Sequence, residues 1–157
     1  MDASCQCGAV TFTTPAARPT HFWICHCTEC QKQSGSAFAA SAMFPFFEPP
    51  TSNPNLSSWT RKCDSGNTLV CYFCKICGAR LLHQTKNPDG ENADSTTVRA
   101  SALDDRHDLP WTTAPHIWTR SALVGIPKGV MTYPEEPDDE SVAVIQEKQA
   151  SQFKHLA

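Results

Sequence analysis

Apolar and polar positions alternate in short runs along most of the chain, a period of two that predicts strands rather than helices. Residues 9–13 (Ala-Val-Thr-Phe-Thr) and 20–24 (Thr-His-Phe-Trp-Ile) read as the first two strands, the former ended by Pro15. A polar stretch at 28–34 suits one or two helical turns, after which 36–44 turns small, apolar and extended. Pro49, Pro50 and Pro54 rule out a regular element between 46 and 55. Residues 57–61 and 68–73 form a further strand pair around Asp64-Ser65-Gly66-Asn67, a composition that suits a hairpin turn. Strands follow at 79–83 and 96–100, joined through Asn87-Pro88-Asp89-Gly90, and a last brief one spans 116–119.

Helical spacing emerges only near the end. Within 138–155, Val142, Ile145, Gln149 and Phe153 share a face, and Asp138, Asp139 and Glu140 sit where a helix N-terminus favours acids. Both a helix and a mobile tail suit this segment. The pattern therefore predicts an all-β domain over 1–133, built of short antiparallel strands, followed by an acidic tail or helix over 134–157.

Composition adds three constraints. At 157 residues the chain is one ordinary domain, and it holds no apolar run long enough to span a membrane. The formal net charge of −3, with acids gathered at 135–140, leaves no basic face for phosphates, so nucleic acid is excluded as the expected partner. Met1-Asp2-Ala3-Ser4 leads straight into cysteines without a basic or apolar signal region, so the expected compartment is the cytoplasm. Nine cysteines in a reducing compartment point to metal ligands rather than disulfides.

Their spacing divides them into two sets. Cys5-Gln6-Cys7-Gly8 and Cys74-Lys75-Ile76-Cys77-Gly78 look like two halves of a four-thiolate zinc site. Sulfurs 2.3 Å from one zinc lie about 4 Å apart, so each pair needs a tight turn, which Gly8 and Gly78 permit by adopting positive φ. Cys25, Cys27 and Cys30 offer three thiolates within six residues. That set leaves a fourth tetrahedral corner open, as catalytic zinc requires. Two zinc ions per chain are expected, one structural and one at an active site. Cys71 and Cys74 also have a legal metal spacing, and Cys63 or Cys71 is available as a fourth ligand of the open site. The repeated Cys-Gly step favours Cys74 with Cys77, with Cys71 a strand residue and Cys63 a free thiol near a turn.

With Cys-x-Cys-Gly, Cys-His-Cys-x-x-Cys and Cys-x-x-Cys-Gly in this order, the chain resembles the glutathione-dependent formaldehyde-activating enzymes, a family that includes centromere protein V. Residues 31–38, Ser65-Gly66-Asn67, Phe73, Leu103-Asp104-Asp105 and His116-Ile117-Trp118 extend the likeness over about 3–133. Leu123 and Cys71 depart from it, standing where the family often has Trp and Arg. The resemblance implies an Mss-four-like zinc-bound β fold, a zinc on Cys5, Cys7, Cys74 and Cys77, and an activity-related zinc on Cys25, Cys27 and Cys30. It also implies condensation of formaldehyde with glutathione to S-hydroxymethylglutathione, which is a carbon–sulfur lyase reaction in reverse.

Chemistry supports thiol activation independently of the resemblance. Zinc with three thiolates carries a net charge of −1 and is a weakened Lewis acid, better matched to a fourth sulfur than to water. An incoming thiol would lose its proton and meet a carbonyl held beside it. Gln33, Ser34, Gly35 and Ser36 are the expected substrate-binding residues, receiving a peptide-like backbone; the bland alternative is that 31–36 only closes the turn under the metal. His26, Glu29 and the Asp104-Asp105 loop are candidate proton carriers, although His26 is expected to point away from the metal and the others to act as caps or solvated charges. Two further readings stay open: a lyase, dehydratase or isomerase for another small metabolite using the same zinc, and a non-catalytic binding module supported by two structural metals.

Overall fold

The computed structural model describes residues 1–155; the last two positions of the 134–157 segment lie outside them. A two-stranded hairpin, β1 (Asp2–Ser4) and β2 (Thr11–Thr13), precedes a seven-stranded sheet. In chain order the sheet comprises β3 (His21–Cys25), β4 (Ala39–Pro45), β5 (Leu56–Lys62), β6 (Thr68–Cys74), β7 (Arg80–Lys86), β8 (Asn92–Arg99) and β9 (His116–Ile117). Its spatial order is β5-β6-β7-β8-β4-β3-β9. Every pair is antiparallel except β3 with β9, which run parallel. Helix α1 (Thr28–Ser34) follows β3 directly, and α2 (Asp139–Ala150) closes the fold. The mainly β architecture expected from the period-two pattern is thus present. β1 went unanticipated because three residues are too few to show alternation.

Alternation gives the large sheet two unlike faces. Phe22, Ile24, Ala42, Phe44, Leu82 and Val98 point to one side and form the main core with Leu103, Leu109 and Phe153. On the opposite side, cross-strand registers line up Trp23, Ser41 and Arg99 in one row, and Trp59, Cys71, His83, Thr97 and Met43 in another. This second face carries the chemistry. Register shifts within β7–β8 after Gln84, and between β6 and β7, where Tyr72 pairs with Leu82 but Phe73 pairs with Arg80, so Leu81 is an extra residue. The bulge turns Leu81 into a second core with Val10, Leu56 and Cys74, and places Arg80 on the face of His83.

The 138–155 segment is helical, not a mobile tail. Asp138 caps it by accepting the Ser141 amide at 2.9 Å. Ile145 joins a third core with Trp23, Cys25, Cys30 and Ile117, while Phe153 reaches the main core. Between them, buried Gln149 acts as a substitute strand: β9 is too short to cover all of β3, and Gln149 accepts the Phe22 amide and donates to the Phe22 carbonyl, both at 2.8 Å.

Candidate metal centres and cleft

Four sulfurs converge where the β1–β2 hairpin meets β6. Cys5, Cys7, Cys74 and Cys77 lie within 4.8 Å of one another, with Cys5–Cys7 at 3.6 Å and Cys7–Cys74 at 3.8 Å. Tetrahedral sulfurs 2.3 Å from zinc stand about 3.8 Å apart, so the donor set fits the ion. The two turns match. Gly8 and Gly78 adopt φ of 76° and 74°, and each amide bonds back to the carbonyl of the first cysteine of its pair, Gly8 to Cys5 and Gly78 to Cys74. Val10 donates its amide to the Cys5 sulfur at 3.3 Å. Cys71 is outside this cluster.

The second set gathers at the junction of β3 and α1. Cys25 ends the strand, Cys27 caps the helix by accepting the Cys30 amide at 3.3 Å, and Cys30 lies one turn in; the three sulfurs are within 4.8 Å of each other. Among the described residues no fourth cysteine joins them, although Cys63 lines the same cleft. Three soft donors with one side open suit a zinc that keeps a free position. The sulfurs perturb one another: hydrogen bonds from Cys25 and Cys27, helped by Arg99 and opposed by burial, hold the Cys30 thiol far below its ordinary range, and the same contacts push Cys25 far above its own.

Above these sulfurs opens a cleft of about 380 Å³. Trp23, Trp59 and Trp118 wall it, and Arg61, Arg80, Arg99 and His83 line it from β5, β7 and β8. Arg99 is buried, donating to the Ser41 hydroxyl at 2.7 Å and reaching the Cys30 sulfur through both terminal nitrogens at 3.9 Å. Trp118 holds φ of 58°, a left-handed conformation costly for a bulky side chain. Its amide bonds to the Glu135 carbonyl at 3.2 Å, its indole donates to Glu136 at 3.3 Å, and Arg120 covers the ring at 5.0 Å. A second cleft, about 480 Å³, lies toward the four-cysteine centre and shares Gln33, Arg80 and Arg99 with the first.

Of the residues expected to bind substrate, Gln33 lines both clefts and donates to the Cys30 sulfur at 3.5 Å. Ser34 lines the second cleft but directs its hydroxyl to the Cys30 and Phe38 carbonyls. Gly35 is the left-handed cap of α1 and the Ser36 amide bonds to the Gln31 carbonyl, and neither lines a cleft. His26 points away from the sulfurs, yet to neither solvent nor a carbonyl: it is fully buried, with Nε2 2.8 Å from His116 Nδ1. Asp104 sits beside β1, accepting the Ser4 hydroxyl at 2.8 Å, whereas Glu29 reaches the cleft and pairs with Lys32 at 3.1 Å. Sequence reasoning missed Arg80, Arg99 and His83. One signal was available, since a charged residue inside a strand must leave the core face; the bulge that reverses Arg80 had only the Leu81-Leu82 doublet to betray it.

A family model described as glutathione-dependent formaldehyde-activating enzyme matches residues 1–121, which include every cysteine of both centres. Comparison with curated proteins gives no match. No helix among the described residues is long and apolar enough to cross a membrane.

Proposed function

The chain belongs to the family of glutathione-dependent formaldehyde-activating enzymes, and from that premise we propose that it is a zinc-dependent carbon–sulfur lyase-type enzyme that activates a small thiol over Cys25, Cys27 and Cys30. One observation carries the reading: three sulfurs within 4.8 Å of one another form the floor of an open cleft, without a fourth protein sulfur among the described residues to close the set. Cys25, Cys27 and Cys30 would hold the ion. When bound, zinc supplies a soft Lewis-acid position at which an incoming thiol gives up its proton.

The chain's own groups serve that chemistry in distinct ways. Gln33 and Arg99 donate to the Cys30 sulfur and so stabilise its anionic form. Three indoles line the cleft above the sulfurs and give it an apolar wall against which the carbon part of a ligand can pack. Glu29, in the first turn of α1 and lining the cleft, is the candidate to carry a proton. With glutathione and formaldehyde, the thiol sulfur bonds to the carbonyl carbon while the carbonyl oxygen takes up one proton, giving S-hydroxymethylglutathione with no other product. A second reading keeps the centre and changes the carbonyl partner, and the three-tryptophan wall supports it, because formaldehyde alone needs no apolar surface of that extent. In either case the partner is a small molecule rather than nucleic acid or membrane, and the reduced cysteines suit the cytoplasm.

Calorimetry on the zinc-loaded protein with glutathione and S-methylglutathione tests the proposal. Glutathione should bind more tightly, with release of a proton. Equal affinities without proton release would eliminate thiol activation and leave a module whose metals are structural.

A further inference from the structure

Arg80 and Arg99 stand side by side at the junction of the two clefts, and neither has an acid partner. Among the described residues the ion pairs are Lys32–Glu29, whose two members line the first cleft, and Arg120–Glu135, and neither pair involves these arginines. Two like charges half-buried or buried together repel, and such an arrangement persists only where something anionic offsets it. The three-thiolate centre supplies part of that offset. With zinc its net charge is −1, and Arg99, lying on Cys30 and Ser41, balances it. Arg80 has no carboxylate partner. It gives Nε to the Leu82 carbonyl at 3.2 Å and lies against the Cys71 sulfur, while its guanidinium faces both clefts. Glu136, the one other acid of the first cleft besides Glu29, already accepts from Trp118.

Nor is the placement of Arg80 incidental. Were residues 80–82 to alternate regularly, Arg80 would share the core face of Leu82; the bulge at Leu81 aims it at the cleft instead. We propose that Arg80, backed by Arg99, receives an anionic group of the ligand, so that the site selects small thiols bearing a carboxylate over neutral thiols of equal size. This selectivity rests on the thiol-binding reading given above. Arg80 is then a specificity-determining residue, offering a planar two-pronged donor to a carboxylate.

Four probes separate charge from sulfur: 3-sulfanylpropanoate, its amide, and the S-methyl form of each, titrated into the zinc-loaded protein. The acid should bind about tenfold or more tightly than the amide, as a charge-assisted hydrogen bond implies. Arg80→Gln should remove that preference while leaving the amide unchanged, and Arg80→Lys should retain part of it. Zinc content and melting temperature of each variant establish that it is folded. Equal binding of acid and amide to the unaltered protein, or an equal loss of both in Arg80→Gln, would overturn the anion subsite. A charge preference among S-methyl forms, with no gain from the free thiol, would sustain the subsite and defeat thiol activation. A thiol preference without a charge preference would do the reverse, and no binding by any probe would count against both.

Discussion

His21 shows how much one buried side chain can demand. It sits on β3 with Nε2 unpartnered, its Nδ1 within 3.2 Å of the Thr20 hydroxyl and 3.3 Å of the Gln146 amide. Burial lowers its pKa to about 4, because the charged imidazolium cannot be solvated there. The unfolded chain therefore binds the extra proton first: between about 6.5 and 4 it holds more protons than the folded protein, so stability is complete above 6.5 and falls as pH drops toward 4. A shift of this size corresponds to about 3 kcal/mol. Replacing His21 with Gln should flatten the pH dependence of denaturant stability across that window relative to the unaltered protein, with zinc held in excess. Parallel curves would show that other groups control acid sensitivity.

Among the elements, α2 docks through buried Ile145 and through one amide that takes the place of a strand. Gln149→Leu would strand the Phe22 N–H and C=O in a dry interface, each costing about 1–3 kcal/mol, so a loss of about 2–6 kcal/mol is expected in chemical denaturation. A loss under 1 kcal/mol would mean that water reaches the Phe22 edge. This element was only half legible: Val142, Ile145 and Gln149 fall at helical spacing behind acids that suit a helix N-terminus, yet a mobile tail suits the same segment until its docking is seen. Helix α1 was readable from its polar run, and the two Cys-Gly turns from the repeated glycine. What could not be read was pairing. Strand order depends on contacts between distant segments, the β3–β9 parallel pair involves two residues each, and the Leu81 bulge alters the facing of Arg80 without altering its composition. Each pair or triplet of sulfur ligands was visible because it is local in sequence, whereas the cleft is assembled from β5, β7 and β8, whose Arg99 stands 69 residues beyond Cys30.

At the scale of the whole molecule, the two centres divide their labour by what they tie together. Cys5 and Cys7 belong to the hairpin and Cys74 and Cys77 to the end of β6, so metal binding there closes a long loop and contributes directly to folding. The Cys25, Cys27 and Cys30 set joins neighbours that β3 and α1 already hold. Cys77→Ser should therefore lower the melting temperature sharply or prevent folding, while Cys27→Ser should yield a folded protein that has lost thiol binding. Chelator titration should release one zinc early and the second only with unfolding. Release of both together, or equal destabilisation by the two substitutions, would contradict this division.

The same geometry sets a timetable for the nascent chain. Cys25, Cys27 and Cys30 leave the ribosome almost together, but Cys5 and Cys7 emerge 70 residues ahead of Cys77. At about 5–20 residues per second, the first half of the four-cysteine centre waits roughly 4–14 s for its partner. During that interval its two thiols are open to oxidants and to premature capture of metal by the complete three-cysteine set beside them. Supply of zinc during synthesis, rather than after it, should therefore determine the yield of correctly metallated protein, and late addition of the metal should recover less of it than early addition.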